Sequence, residues 1–207
     1  MKPILFREAI SDEYVAGAQL VLETLHAFGI YLFGFGQAEY AKNALEKFFR
    51  MRGNRFSYQY AEFVLCGDEI MGIVMTFDQK EMLRSLAATA LQIWQVYRLS
   101  KIPEFIKRGM PYSEEEKIGH DELYIAHLAV NKKFRRQGIG FQLLEHAEEK
   151  ARRKGLTKLS LLTEIENTAA RNLYTKFGFR LVDTILFPEK MPYVGSAGDV
   201  RMIKILT

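Results

Sequence analysis

The stretch from Leu123 to Thr163 constrains this chain more than any other. An apolar run, Leu123 to Val130, leads into a basic turn, Arg135-Arg136-Gln137-Gly138-Ile139-Gly140, which opens an amphipathic segment reaching Lys154. Ile139, Leu143, Leu144, Ala147 and Ala151 recur along it at helical spacing, and Gly155 ends it. A second apolar run, Leu159 to Thr163, follows. Strand, helix, strand in that order implies a parallel pair joined by a right-handed crossover. The basic turn then lies at a helix N-terminus, where unpaired N–H groups and the helix dipole favour an anion. Glycine at 138 and 140 removes the Cβ atoms that would keep a phosphate from the backbone.

The flanking segments extend this unit on both sides. Ile4–Glu8 reads as a first strand, and Asp12 as the cap of a helix reaching about Phe28. Gly29–Gly36, aromatic and glycine-rich, reads as a loop or kink. A second helix fits 38–51, stopped by Gly53-Asn54. Residues 60–66 and 69–77, separated by Gly67-Asp68, predict a β-hairpin. After the crossover, a helix from Asn167 to Phe177 closes at Gly178, and 179–187 and 199–206 read as two last strands around a loop from Pro188 to Gly198. The expected fold class is α/β with a mixed sheet of six to seven strands flanked by helices, in one domain over 1–207.

Residues 80–121 break the alternation. Leu83, Leu86, Ala87, Ala90, Trp94 and Tyr97 make an apolar helical stripe opposite Arg84, Gln92, Gln95 and Arg98. Pro103 ends that unit, and an acidic loop with Glu114–Glu116 follows. About 40 residues are too few for a core of their own. The segment is read as a helical insertion, a lid or an interface for a second copy of the chain, with its apolar face covered.

Composition narrows the function classes. Net charge is +4, but the positives are mixed with 25 acids and form no long run, which argues against nucleic acid. The single cysteine, Cys66, excludes an internal disulfide, suits a reducing cytoplasm and ends an apolar run, so it is read as packing and not as a nucleophile. The four histidines are scattered without metal-ligand spacing, so no metal is expected. The N-terminus lacks signal-peptide character. The uncharged run Thr24–Ala38 is shorter than a bilayer span, so no membrane partner is expected.

Leu128-Ala129-Val130, then Arg135-x-x-Gly138-x-Gly140, then Asn167-x-x-Ala170-x-x-Leu173-Tyr174-x-x-x-Gly178-Phe179 resemble the GNAT superfamily of acyl-CoA-dependent N-acyltransferases. The likeness is sharp from about 122 to 182, general in the N-terminal third and absent from the insertion. It implies acetyl-CoA as cosubstrate. Arg135, Arg136, Gln137, Gly138, Ile139 and Gly140 would hold the pyrophosphate. Leu128, Ala129 and Val130 would lie on a strand that splays from its neighbour so that pantetheine hydrogen-bonds in the gap. Asn167 would contact the cofactor, a role compatible with capping its helix. The sequence departs from the family at Asn131-Lys132, where Asp-Pro is frequent, and at Arg136, where glycine is common.

The same resemblance implies the chemistry. Tyr174 matches the tyrosine placed near the thioester sulfur as a general acid, and a phenol and a thiol titrate within about two units of each other. For the base, strand alternation puts Glu122, Tyr124 and Ala126 on one face and Leu123, Ile125 and His127 on the other. Tyr124 stands where a base is often found, and Glu122, acting through a water, is the first choice. His127 has a suitable titration range but the opposite parity, unless a bulge intervenes, and is read as structural. The implied function is transfer of an acetyl group to a primary amine, small or peptidic, by direct attack in a ternary complex. A non-catalytic acyl-CoA-binding or regulatory module is the alternative, as is a peptide or protein N-acetyltransferase.

Overall fold

Seven strands form one open sheet in the order β1-β2-β3-β4-β5-β7-β6 in a computed structural model that describes residues 3–109, 118–187 and 195–206. The strands are β1 (Ile4–Glu8), β2 (Ala61–Cys66), β3 (Glu69–Phe77), β4 (Glu122–Val130), β5 (Lys158–Glu164), β6 (Arg180–Leu186) and β7 (Gly198–Ile205). Only β4 and β5 run parallel, and the crossover between them is α5 (Ile139–Arg153). All other neighbours are antiparallel. The mixed sheet and its crossover agree with the alternation in the sequence. Part of the expected acidic loop and part of the loop from Pro188 lie outside the described residues.

Helices cover both faces. On one face α1 (Tyr14–Gly34), α2 (Ala38–Arg50) and α3 (Gln79–Val96) pack through Leu20, Val21, Phe33, Leu45, Phe48, Phe49 and Met82 onto Phe63, Ile73, Met75, Phe77 and Tyr124. On the other, α5 and α6 (Thr168–Phe177) bury Leu143, Leu144, Ala147, Tyr174 and Phe177 against Val74, Leu123, Ile125 and Leu161. Residues Ser11–Gly34 are long and apolar enough, by length and composition, to cross a membrane. Here they supply Ala18, Leu20, Val21, Leu32 and Phe33 to the core.

Two expectations are corrected. The first helix does not stop near Phe28. It runs on through the glycine- and aromatic-rich stretch to Gly34, and its break sits earlier, at His26, with φ 47 and ψ −134. Gly29 and Gly34 are tolerated there because each sits at a tight contact. A Cβ on Gly34 would lie 2.9 Å from that of Ala41 on α2. The second correction concerns α3. Most of its stripe faces solvent, with Leu83 64% and Trp94 62% exposed, and of the stripe Tyr97, just past the helix, is buried together with Met82, Ser85 and Val96. Hydrogen bonds select the inner face. Thr89 Oγ1 accepts from Arg55 N at 3.0 Å, and Gln92 Oε1 accepts from Asn54 Nδ2 at 3.0 Å, so polar side chains satisfy the turn after α2. The short α4 (Ile102–Gly109) then returns toward α1, where Arg108 donates to Tyr31 O at 2.7 Å.

The helix that bears the basic turn is clamped to the sheet by charge. Glu62 of β2 meets His146 Nε2 and Lys150 Nζ of α5, each at 2.5 Å. Burial opposes ionisation of Glu62, yet the hydrogen bond to His146 and the Lys150 charge hold its carboxyl down at about 2, against an ordinary 4.5. A depressed carboxyl contributes stability above its unfolded value and loses it as pH falls through the folded one. Glu62→Gln is therefore expected to destabilise the protein at pH 7 by about 1–2 kcal/mol. Thermal melts should show the gap between variant and parent closing as pH is lowered from about 5 toward 2, and a gap independent of pH would refute the clamp.

Candidate active site

The parallel pairing of β4 with β5 is short. It joins Glu122–Ile125 to Lys158–Leu161 and stops, although β4 continues to Val130 and β5 to Glu164. Beyond that point β4 stays with β3 and β5 stays with β7, so the two strands diverge with their facing N–H and C=O groups unpaired by each other. Where they part, β4 carries an extra residue: Met75 opposes His127 and Thr76 opposes Ile125, leaving Ala126 as a bulge.

The bulge reverses the alternation expected for β4. Tyr124 packs with the α1–α3 face, and so do His127 and Ala129, while Leu128 and Val130 turn toward α5 and α6. His127 thus shares a face with Tyr124, contrary to strict period two. Glu122 lies at the other end of β4, 6% exposed and paired with Arg201 of β7 at 2.7 Å. It is not brought to the gap, and its carboxylate is held by a guanidinium.

The basic turn is shaped for an anion. Asn131 caps a short 3₁₀ turn, accepting from Lys133 N at 3.2 Å, and the chain then enters left-handed backbone at Arg136 (φ 62) and again at Gly138 (φ 82), the N-cap of α5. Alternating conformations of this kind turn successive N–H groups to one side. Gly138 O takes the first helical bonds, from Phe141 N at 3.0 Å and Gln142 N at 3.2 Å, so the N–H groups ahead of them have no intrahelical acceptor. No acidic residue lies in the first turn of α5. A Cβ at Gly138 would meet nothing within 4 Å, which leaves open space over those amides. At Gly140 it would come to 3.0 Å of Leu173, so that glycine serves the contact between α5 and α6.

A cavity of about 910 Å³ runs through the gap. Leu128, Ala129, Val130, Arg135, Arg136, Gly138, Ile139, Gly140, Asn167, Tyr124 and Tyr174 all line it, and Glu122 and Gln137 are not among its lining residues. Asn167 caps α6, accepting from Ala170 N at 3.2 Å. Tyr174 reaches the gap from the α6 face, and burial pushes its phenol up to about 12. His127 reaches it from the opposite face. The hydroxyl of Thr24 donates to Val21 O at 2.7 Å and also lies 2.7 Å from His127 Nδ1. One hydroxyl proton satisfies both contacts only if Nδ1 carries the imidazole proton and donates to Thr24, which leaves a lone pair on Nε2.

Several cavity residues carried no signal in the sequence. Glu23 pairs with Arg135 at 3.0 Å, and His26 Nδ1 lies 2.9 Å from Glu164 Oε2, so α1 is tied to both lips of the gap. The hydrogen bond to Glu164 raises the His26 pKa, against its partial burial and the charge of Arg135. The insertion contributes Leu86 and Thr89 from α3 and Phe105 from α4 to the cavity wall. Among the aromatic residues Phe33, Phe35, Phe56, Tyr58, Tyr60, Trp94 and Tyr97, which the sequence offers for an acceptor cleft, Phe33 and Phe56 line the cavity and the other five do not.

Left-handed backbone costs a side-chain-bearing residue roughly 1–2 kcal/mol. Arg136→Gly should therefore raise the melting temperature, and Gly138→Ala should lower it, each by an amount corresponding to about 1 kcal/mol. Opposite signs at two turn positions separated by one residue check the geometry directly, and a stabilising Gly138→Ala would contradict it.

Comparison with known proteins adds to this geometry. The profile of the acetyltransferase (GNAT) family matches residues 30–179. Over 61 residues the chain is 43% identical to the GCN5-related N-acetyltransferase 6, chloroplastic, of Arabidopsis thaliana, a stretch covering 30% of this chain and 21% of that protein. Over 56 residues it is 45% identical to N-alpha-acetyltransferase 30 of Saccharomyces cerevisiae, covering 27% of this chain and 32% of that one. The matched segment thus spans about a third or less of these relatives. The crystal structure of an N-acetyltransferase from Staphylococcus aureus Mu50 has the same fold, with a TM-score of 0.75 at 23% identity over 96% of this chain and 99% of that one. With the family profile running from the second half of α1 to Phe179, across the gap, the basic turn and α6, this chain belongs to the GNAT acetyltransferase family.

Proposed function

We propose that this protein transfers an acetyl group from acetyl-CoA to a primary amine by direct attack in a ternary complex. One observation carries the reading. The divergence of β4 from β5 opens a passage through the sheet that ends on an anion-binding helix start and has Tyr174 on one side and the Tyr124–His127 face on the other. The residues present fit acetyl-CoA. Open space over the Gly138 amides admits a diphosphate, and the unpaired strand edges admit an amide-bearing arm.

Acetyl-CoA supplies the activated acetyl group, and this chain's residues supply placement and protons. Arg135 and Arg136 add positive charge beside the α5 amides, and diphosphate would compete with Glu23 for Arg135. N–H groups along Ala126–Val130 that β5 leaves unpaired would stabilise charge growing on a carbonyl oxygen in the gap. Tyr174 keeps its proton at neutral pH and offers it to the departing sulfur, and the proton that the attacking nitrogen sheds on forming the amide returns through solvent to the phenolate, so the enzyme ends as it began. A thiol in water titrates near about 8.5, but burial that raises the phenol also raises a thiolate leaving beside it, which narrows the mismatch. Amine and thiol meet the gap from opposite faces, so acceptor entry does not require the cosubstrate to leave. A reducing cytoplasm is the compartment we propose, in keeping with the single Cys66.

Tyr174→Phe is expected to lower kcat by on the order of 10²-fold while acetyl-CoA affinity, read by calorimetry, changes less than twofold. An unchanged rate removes Tyr174 from the chemistry. Absence of binding heat with acetyl-CoA on the parent protein would overturn the whole reading.

A further inference from the structure

The acceptor side of the cavity has a distinct chemistry. Phe28, Leu32, Phe33, Phe56, Leu86 and Phe105 line it, drawn from α1, the turn after α2, and the insertion. Phe33 packs edge-on against Phe56 at 5.0 Å, and Phe56 lies 5.8 Å from the His127 ring, so the aromatic wall runs up to the histidine. His127 is 3% exposed, and its Nε2 has no hydrogen-bond partner among the described residues. A buried acceptor left unpaired is costly, so a donor that arrives with a ligand recovers that cost. Two of the acids at the lips are already engaged, Glu23 by Arg135 and Glu164 by His26, and Arg55 adds a positive charge to the same wall.

We infer that the acceptor is a primary amine borne on a bulky apolar or aromatic body, its N–H hydrogen-bonded to His127 Nε2 and its body against the Phe33–Phe56 wall. This rests on the acetyl-transfer reading and narrows its acceptor. His127 is neutral at working pH, since burial and the Arg55 charge push its pKa down to about 3. It therefore accepts a hydrogen bond and orients the nitrogen lone pair without holding a proton. A polyamine is disfavoured, because the Phe33–Phe56 wall offers its further cations no partner and Glu23 and Glu164 are already in ion pairs. The same chemistry is met in a free arylalkylamine and in a peptide that begins with a bulky apolar residue.

Thiol release from acetyl-CoA by the whole protein tests this with 2-phenylethylamine, ethanolamine, spermidine, and phenylalanine-led and glycine-led tetrapeptides. At least tenfold higher kcat/KM is expected for 2-phenylethylamine over ethanolamine and spermidine, or for the phenylalanine-led over the glycine-led peptide, and the arm that responds identifies the source. Spermidine, ethanolamine or the glycine-led peptide performing equally would overturn the assignment and leave acetyl transfer intact. No turnover of any amine with acetyl-CoA still bound would overturn acetyl transfer itself, and this assignment with it. His127→Asn keeps a donor toward Thr24 and removes Nε2. It should lower acceptor kcat/KM at least tenfold with acetyl-CoA affinity unchanged, and His127→Gln should restore part of the loss. Leu86→Ala, at a cavity-lining site that is 43% exposed, should raise KM for the preferred amine several-fold. Kinetics within twofold of the parent in both His127→Asn and Leu86→Ala would refute the contact.

Discussion

The hydrogen bonds that β4 and β5 do not make govern this molecule. Pairing ends at Ile125 and Leu161, and each strand then follows its other neighbour. Strand edges inside a protein are costly, at about 1–3 kcal/mol for each buried group left without a partner. A fold keeps such a defect only if something satisfies it. Here the edges open on a cavity that ends at the α5 amides, and a chain of amides with a diphosphate head matches both features at once. The sheet's missing rungs thus define the length, direction and polarity of what enters.

The lips of this gap hold much of the strain in the structure. Among the described residues three non-glycine residues have positive φ, and two of them, His26 and Arg136, line the cavity. Each also sits beside an ion pair that crosses from α1 to the gap, His26 with Glu164 and Arg135 with Glu23. Helix α1 therefore acts as a strap over the opening, bent at His26 so that its second half can carry Leu32 and Phe33 into the acceptor wall. Strained backbone persists where surrounding contacts over-determine it. Tyr97, whose hydroxyl donates to Phe33 O at 3.0 Å, and Arg108, which donates to Tyr31 O, supply such contacts from the insertion. The insertion thus forms part of the wall of the site.

The sequence made some of this legible and hid the rest for identifiable reasons. The crossover, the basic turn, the cap at Asn167 and the close at Gly178 are local, and each leaves a residue type that backbone geometry demands. Arg136 shows the converse: glycine is common at that position, and the structure explains the departure as a tolerated left-handed arginine. The bend at His26 left no trace, because a histidine inside an apolar helical run carries no breaker signal. Apolar spacing alone does not reveal which face of α3 meets a polar turn, so its stripe reads as inward from the sequence. Thr89 and Gln92 decided it by satisfying Asn54 and Arg55. Glu122 was chosen by alternation and chemistry, but its partner Arg201 lies 79 residues away in sequence and could not be seen.

The bulge at Ala126 joins two properties that are separable in principle. An extra residue in one strand shortens the run that can pair with the far neighbour, and this opens the gap. It also reverses every side chain beyond it, so that His127 meets Thr24 and Phe56 while Leu128 and Val130 line the side toward α5. Without the bulge, period two would carry His127 toward α5 and α6 and bring Leu128 to the acceptor side. One backbone irregularity therefore sets both the space for the cosubstrate and the only buried imidazole on the acceptor face of β4. Each consequence gives the other its use: an open gap without a polar acceptor beside it would hold a thioester but not orient an amine, and an imidazole facing a closed sheet would have nothing to orient.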